Sequence, residues 1–166
     1  MATAVYVPIA EYLNTTYRPD CDYVDGEVRE RNWGDFAHSS TQADVGVWLH
    51  GKFPQGARRV LLEQRVQVKA TRYRIPDVCV LADDAPREAI IRTPPILCVE
   101  ILSKDDRMSD ILVRVKEYFE MGVPVCWIID PLVKAGWVAT PGNLADATDG
   151  ILRAGDLEMP LDEVLG

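Results

Sequence analysis

The sequence lacks most of the features that announce a particular chemistry. No apolar run approaches the roughly 18 residues that a membrane-crossing helix needs. Histidine occurs twice, at His38 and His50, too far apart for two imidazoles of an H-x-x-x-H zinc pair. The four cysteines, Cys21, Cys79, Cys98 and Cys126, include no C-x-x-C, which excludes a metal knuckle or a thioredoxin-type motif. Three of them lie inside apolar runs, where a free thiol behaves as a small core residue, so they read as reduced. There is no glycine-rich phosphate loop and no G-x-S-x-G elbow, which sets aside NTPase and α/β-hydrolase chemistry. Repeats and low-complexity linkers are missing. The opening Met-Ala-Thr-Ala-Val-Tyr has no basic n-region of a secretory signal. The expectation is a cytoplasmic protein with no membrane partner.

What is present is globular. The 166 residues are 48% hydrophobic and 27% charged, enough chain for one domain with a core of its own. We expect a single domain over 1–166, with the core over about 8–140 and an acidic extension over 141–166. Net charge is −8, which by itself opposes a nucleic-acid partner. The distribution is uneven. Between Lys52 and Arg74 there are seven basic residues and one acid, Glu63. Arg58, Arg59, Arg65, Lys69, Arg72 and Arg74 could therefore track a phosphate backbone. The alternative is a solvated basic hairpin.

Periodicity supplies the elements. Pro8–Leu13 reads as a short helix with proline first. Tyr23–Val28 reads as a hairpin turning at Asp25-Gly26. From Asp35 to Phe53 the spacing of Val45, Leu49 and Phe53 is helical, and the same face extended backwards carries Gln42 and His38. Val60–Val68, Arg74–Leu81 and Pro95–Ser103 read as strands. Asp105-Asp106 reads as a helix start, with Ile111, Val115, Tyr118 and Phe119 as the buried stripe and Gly122 as the stop. Val123–Ile129 is a buried strand and Gly136–Thr140 could be another. Beyond Pro141 the chain reads as acidic and loose, with a last strand at 151–153. The fold class is α/β (α+β): a mixed β-sheet flanked by helices, with an N-terminal β-hairpin.

Two acids interrupt apolar strands. Alternate strand residues share a face, so Asp77 sides with Ile75, Cys79 and Leu81, and Glu100 with Ile96, Cys98 and Leu102. A lone ionised carboxylate on such a face costs several kcal/mol unless it is paired or holds a cation. Two on consecutive strands point to a divalent ion between them, and hard oxygen ligands suit Mg²⁺ or Mn²⁺. The alternative is that each acid pairs with an arginine or lies at a strand end.

The ordered set Tyr23-Val-Asp-Gly-Glu27, His38, Ile75-Pro-Asp-Val78, Val99-Glu-Ile-Leu-Ser103, Asp110 and Tyr118 to Pro131 resembles the Uma-two family of the PD-(D/E)XK nuclease superfamily, over about residues 8–140. The resemblance implies a restriction-endonuclease-like fold, often homodimeric, and a metal-dependent endonuclease-like protein hydrolysing phosphodiester bonds of DNA. It matches Asp77 and Glu100 to the metal-binding acids, Glu27 to a third acid and His38 to a histidine near the helix start. The superfamily lysine is missing at Leu102. In this family it sits eight residues before the glycine of Gly122-Val, and that position is Arg114. Lys116 lies on the opposite edge of the same helical stripe. Arginine stays charged and cannot act as a general base, although it can stabilise phosphate charge. A catalytically weak or inactive binding or regulatory module on the same fold is the alternative.

Overall fold

The computed structural model describes residues 3–166, so the first two residues of the opening stretch read for a targeting signal lie outside the described residues. The chain opens with α1 (Ile9–Leu13), where Pro8 is the cap and not the first helical residue. Strands β1 (Asp22–Val24) and β2 (Glu27–Arg29) pair antiparallel. Asp25 and Gly26 both have positive φ, 51° and 98°, as a tight two-residue hairpin turn demands. A Cβ on Gly26 would lie 2.4 Å from the Tyr6 ring, so close approach as well as backbone conformation requires glycine there. Helix α2 (Phe36–His50) is capped by Asp35, whose carboxylate accepts the His38 N–H. His38, Val45 and Leu49 are buried on one face, as their spacing implies.

Two expected strands each divide. Val60–Val68 becomes β3 (Val60–Leu62) and β4 (Val66–Lys69), broken at Glu63 with φ 49°. Arg74–Leu81 becomes β5 (Arg72–Arg74) and β6 (Val78–Val80), broken around Pro76, which has no N–H to donate to a ladder. The pieces belong to different sheets. One sheet has the order β2-β1-β5-β4. The other contains β3 and β6, followed by β7 (Leu97–Ile101). The two breaks meet, since the Glu63 N–H donates to the Asp77 carbonyl oxygen at 3.3 Å. Asp77 is thus at the seam between two sheets and not in mid-strand.

Helix α3 (Met108–Met121) starts later than Asp105-Asp106 suggests, with Arg107 as its cap. Asp106 instead accepts the N–H and the hydroxyl of Ser103, which forms a turn before the helix. Gly122, φ 116°, ends it. The helix is the crossover to β8 (Cys126–Asp130), which runs parallel to β7, a pairing that requires such a connection. Then β9 (Ala135–Thr140) and β10 (Asn143–Asp146) complete a six-stranded sheet, β10-β9-β8-β7-β6-β3.

One face of that sheet packs on α3 through Cys79, Cys98, Ile128, Ile111, Val115 and Tyr118. All four cysteines are free and buried, and burial pushes the Cys79 thiol up to about 12. The other face presents Val78, Val80, Val99, Trp127 and Ile129 to α2 and to the C-terminal segment. That segment is not loose. It forms the hairpin β11 (Ile151–Ala154) and β12 (Leu157–Pro160), then α4 (Asp162–Leu165). Leu152, Met159, Leu161 and Val164 are buried in the core. Among the described residues no helix is long and apolar enough to cross a membrane.

Candidate active site

The seam assembles the site. Strands β6 and β7 pair antiparallel with Cys79 opposite Cys98 and Val78 opposite Val99. One further step places Asp77 across from Glu100, and both are buried. Asp77 Oδ2 accepts the Ile101 N–H at 2.7 Å. Its Oδ1 accepts Arg31 Nη2 at 2.9 Å and lies 3.2 Å from His38 Nε2. Gln42, on the same face of α2, donates to the Asp77 carbonyl at 3.0 Å. Glu100 Oε1 accepts the Tyr118 hydroxyl at 2.6 Å. Its Oε2 is 3.5 Å from Arg114 Nη1.

Burial pushes the Glu100 carboxyl up to about 7; Arg114 opposes this and the charge of Asp77 adds to it. For His38, burial alone would favour the neutral ring, but the hydrogen bond and charge of Asp77 outweigh it and raise its pKa.

A third acid is present that the sequence reading did not single out. Asp22 on β1 is buried, accepts the Ile75 N–H at 3.2 Å and Arg74 Nη1 at 3.1 Å, and lies 3.3 Å from Arg114 Nη2. Arg114 therefore bridges an acid of one sheet to an acid of the other. Glu117 of α3 extends the chain of alternating charge by accepting Arg74 Nε and Arg72 Nη1, each at 2.6 Å. No sequence signal marks it: β1 is only three residues long, all of them buried without alternation, and it is covered by pairing with β5.

Other expected residues lie elsewhere. Glu27 does not join Asp77 and Glu100, because its half-exposed carboxylate pairs with Arg29 at 3.0 Å on the hairpin. Lys116 is exposed and lines a shallow cleft with Leu112, Phe119 and Leu144, on the opposite edge of α3 from Arg114. The basic stretch is not one strip of unpaired charge. Arg65 is held by Asp20 at 2.6 and 2.7 Å and stacks on Tyr12. Arg72 pairs with Asp25 and Glu117, buried Arg74 with Asp22 and Glu117, and Lys69 with Glu120. Arg59 donates to the Leu81 carbonyl and lies over Phe53, while Arg58 stands at a positive-φ turn beside it.

A mixed sheet with one helix-crossed parallel pair, carrying a Pro-Asp just before one strand opposite a glutamate in the next, is the restriction-endonuclease-like fold that the resemblance implies. The chain belongs to the Uma2 family, described as "Putative restriction endonuclease", whose family model matches residues 9–159. It is also similar to a crystal structure from Anabaena variabilis, described as "a putative nuclease belonging to DUF820". The TM-score is 0.81 over 96% of this chain and 97% of that one, at 22% identity. At that identity the likeness establishes the fold. No curated protein sequence matches the chain.

Proteins of this fold family generally use divalent metals. Among the described residues no three His, Cys, Asp or Glu side chains group as a metal site. Two facing carboxylates nevertheless fit a small hard cation, since Mg²⁺ keeps several waters and takes only one or two carboxylates. Glu100 Oε2, which faces Arg114 at 3.5 Å while Oε1 is taken by the Tyr118 hydroxyl, is the oxygen best placed to receive it.

Proposed function

We propose that this chain is a divalent-metal-dependent nuclease acting on DNA. The observation that carries the reading is the placement of buried Asp77 opposite buried Glu100, on the one sheet face where Arg114 also arrives. Asp77 and Glu100 would hold Mg²⁺ or Mn²⁺, and the ion when bound supplies Lewis acidity and neutralises phosphate charge. The Ile101 N–H and the Tyr118 hydroxyl fix the two carboxylates. Arg114, permanently cationic, stabilises charge on the phosphate and takes no proton. Arg31, now on Asp77, is the cation that can turn to a phosphate when the carboxylate takes a metal. His38 acts as a positioning residue for Asp77.

The test is incubation of plasmid and single-stranded DNA with Mg²⁺ or Mn²⁺, beside an Asp77→Ala control. Metal-dependent cleavage that Asp77→Ala abolishes supports the reading; equal cleavage by both proteins refutes it. A second reading is favoured by the 2.9 Å bond from Arg31 to Asp77. There the arginines serve as permanent counter-cations, and the fold binds without cutting. Metal uptake without cleavage selects that reading.

A further inference from the structure

Arg31 is held unlike the arginines that brace the smaller sheet. Arg74 makes three hydrogen bonds to Glu117 and Asp22, and Arg65 grips both oxygens of Asp20 and two backbone carbonyls. Arg31, whose side chain is only 9% exposed, makes one side-chain bond among the described residues, from Nη2 to Asp77 Oδ1 at 2.9 Å. Its Nε–H has no acceptor. A guanidinium that serves as a permanent strut binds through its fork; Arg31 binds at one prong.

The Asp77 carboxylate is nevertheless fully engaged. Oδ1 receives Arg31 and lies 3.2 Å from His38 Nε2, and Oδ2 receives the Ile101 N–H. Its one negative charge is matched by a guanidinium that never gives up its proton. A divalent cation arriving at Asp77 meets a site already neutralised, and two cations on one buried carboxylate repel. Tight binding of the ion requires Arg31 to leave and to find another acceptor.

That acceptor stands beside it. Arg31 Nη1 is already 3.9 Å from Glu63 Oε1, and the Glu63 side chain is 46% exposed, with room to accept. Glu63 Oε1 otherwise meets Gln42 Nε2 at 3.5 Å. The Glu63 N–H donates to the Asp77 carbonyl oxygen, which keeps the residue at the seam. Glu63 also holds φ at 49°, a conformation that glycine or asparagine would serve better if only a turn were needed and that concentrates at functional positions.

From the single bond between Arg31 and Asp77, the unfilled Nε–H and the adjacent Glu63 carboxylate, we infer that Arg31 is a built-in counter-ion switch: it neutralises Asp77 in the resting protein and passes to Glu63 when a divalent cation takes Asp77. The inference rests on the reading of Asp77 and Glu100 as metal ligands and adds the residue pair that sets how tightly the metal is held. Without DNA the receiving group is Glu63, so the exchange is readable in the free protein.

The experiment is calorimetric titration of Mn²⁺ into the full chain at constant pH, without DNA, for wild type, Arg31→Gln, Glu63→Gln and the double variant. Circular dichroism checks that each is folded, and Arg31→Met replaces Arg31→Gln if the latter is not. Expected are binding tighter by about tenfold or more in Arg31→Gln, the scale of a hydrogen bond to a charged group, and binding about threefold weaker in Glu63→Gln, the scale of a part-exposed ion pair. On the Arg31→Gln background Glu63→Gln should change nothing, because no guanidinium remains to be received. A Glu63 effect of equal size with and without Arg31 is the loss of a nearby negative charge and overturns the switch, as does binding no tighter in Arg31→Gln. Mn²⁺ binding by none of the four proteins removes the metal reading and the switch with it. Binding that ignores both residues removes the switch alone. The expected coupling without any cleavage of DNA keeps the switch and removes the nuclease reading.

Discussion

Glu117 is the position where a single truncation should loosen most of the molecule. Its carboxylate, 3% exposed, accepts from Arg74 at 2.6 and 3.2 Å and from Arg72 at 2.6 Å, tying α3 to the β5 strand of the smaller sheet. In Glu117→Ala the Arg74 guanidinium, 6% exposed, keeps only Asp22. Breaking a buried pair from one side costs about 3–5 kcal/mol. For a chain of this length each kcal/mol shifts Tm by roughly 2–4 °C, so the variant should melt roughly 6–20 °C lower. Circular dichroism melts at neutral pH measure this. Adding Arg74→Met should recover part of the loss, since no unpaired buried charge then remains. Burial raises the Glu117 pKa, but Arg74 and Arg72 outweigh it and hold it below the usual range. The stabilisation is therefore complete above the unfolded value, about 4.3, and is lost as pH falls through the lower folded value. The gap between wild type and Glu117→Ala should narrow in acid. A Tm within about 2 °C of wild type at pH 7, below what even 1 kcal/mol produces, would refute the clamp.

Arg114→Lys should preserve or raise nuclease activity, because it restores a compact ammonium at the family position. Arg114→Ala should lower the rate on the order of 10²-fold, with Lys116→Ala close to neutral; single-turnover cleavage of one substrate ranks the three. Glu100, raised to about 7 chiefly by burial, binds its proton more tightly folded than unfolded. Its contribution is therefore complete below about pH 4.3 and is lost as pH rises to about 7. In EDTA, Tm against pH should move in favour of Glu100→Gln across that window, and a constant difference would contradict it. Met159→Ala should cost about 2–5 kcal/mol by urea unfolding, because the side chain is fully buried; a cost near zero would mean that the C-terminal hairpin is peripheral.

Local patterns carried much of the fold. The hairpin was legible from Asp25-Gly26, the inward face of α2 from the four-residue spacing, and β7 and β8 from their apolar runs. The division of Val60–Val68 was not, because Glu63 adopts a left-handed conformation with no glycine or proline to mark it. Pro76 did mark the second division, but the alternation around it reads as continuous. Of the acids, Asp77 and Glu100 followed from strand parity. Asp22 did not, because its burial depends on β5 pairing beside β1, a contact some fifty residues away in sequence. Counting charges along Lys52–Arg74 could not reveal that Asp20, Asp25, Glu117 and Glu120, all outside that stretch, neutralise four of its members. Of the C-terminal strands, 151–153 was legible and is β11, whereas β10 and β12 carry too few apolar residues to show a period and tertiary packing decides them.

Two chain segments pass from one sheet into the other at the seam, and Arg114 spans the same gap between Asp22 and Glu100. The sheets therefore cannot part by bending one connection. Both crossings and the charge ribbon must yield together, which makes the two sheets a single cooperative unit for opening. Backbone amides as far apart in sequence as Val24 and Ile101 should then exchange with solvent at a common free energy. The fraying that native chains concentrate at loosely held ends should stop short of the acids.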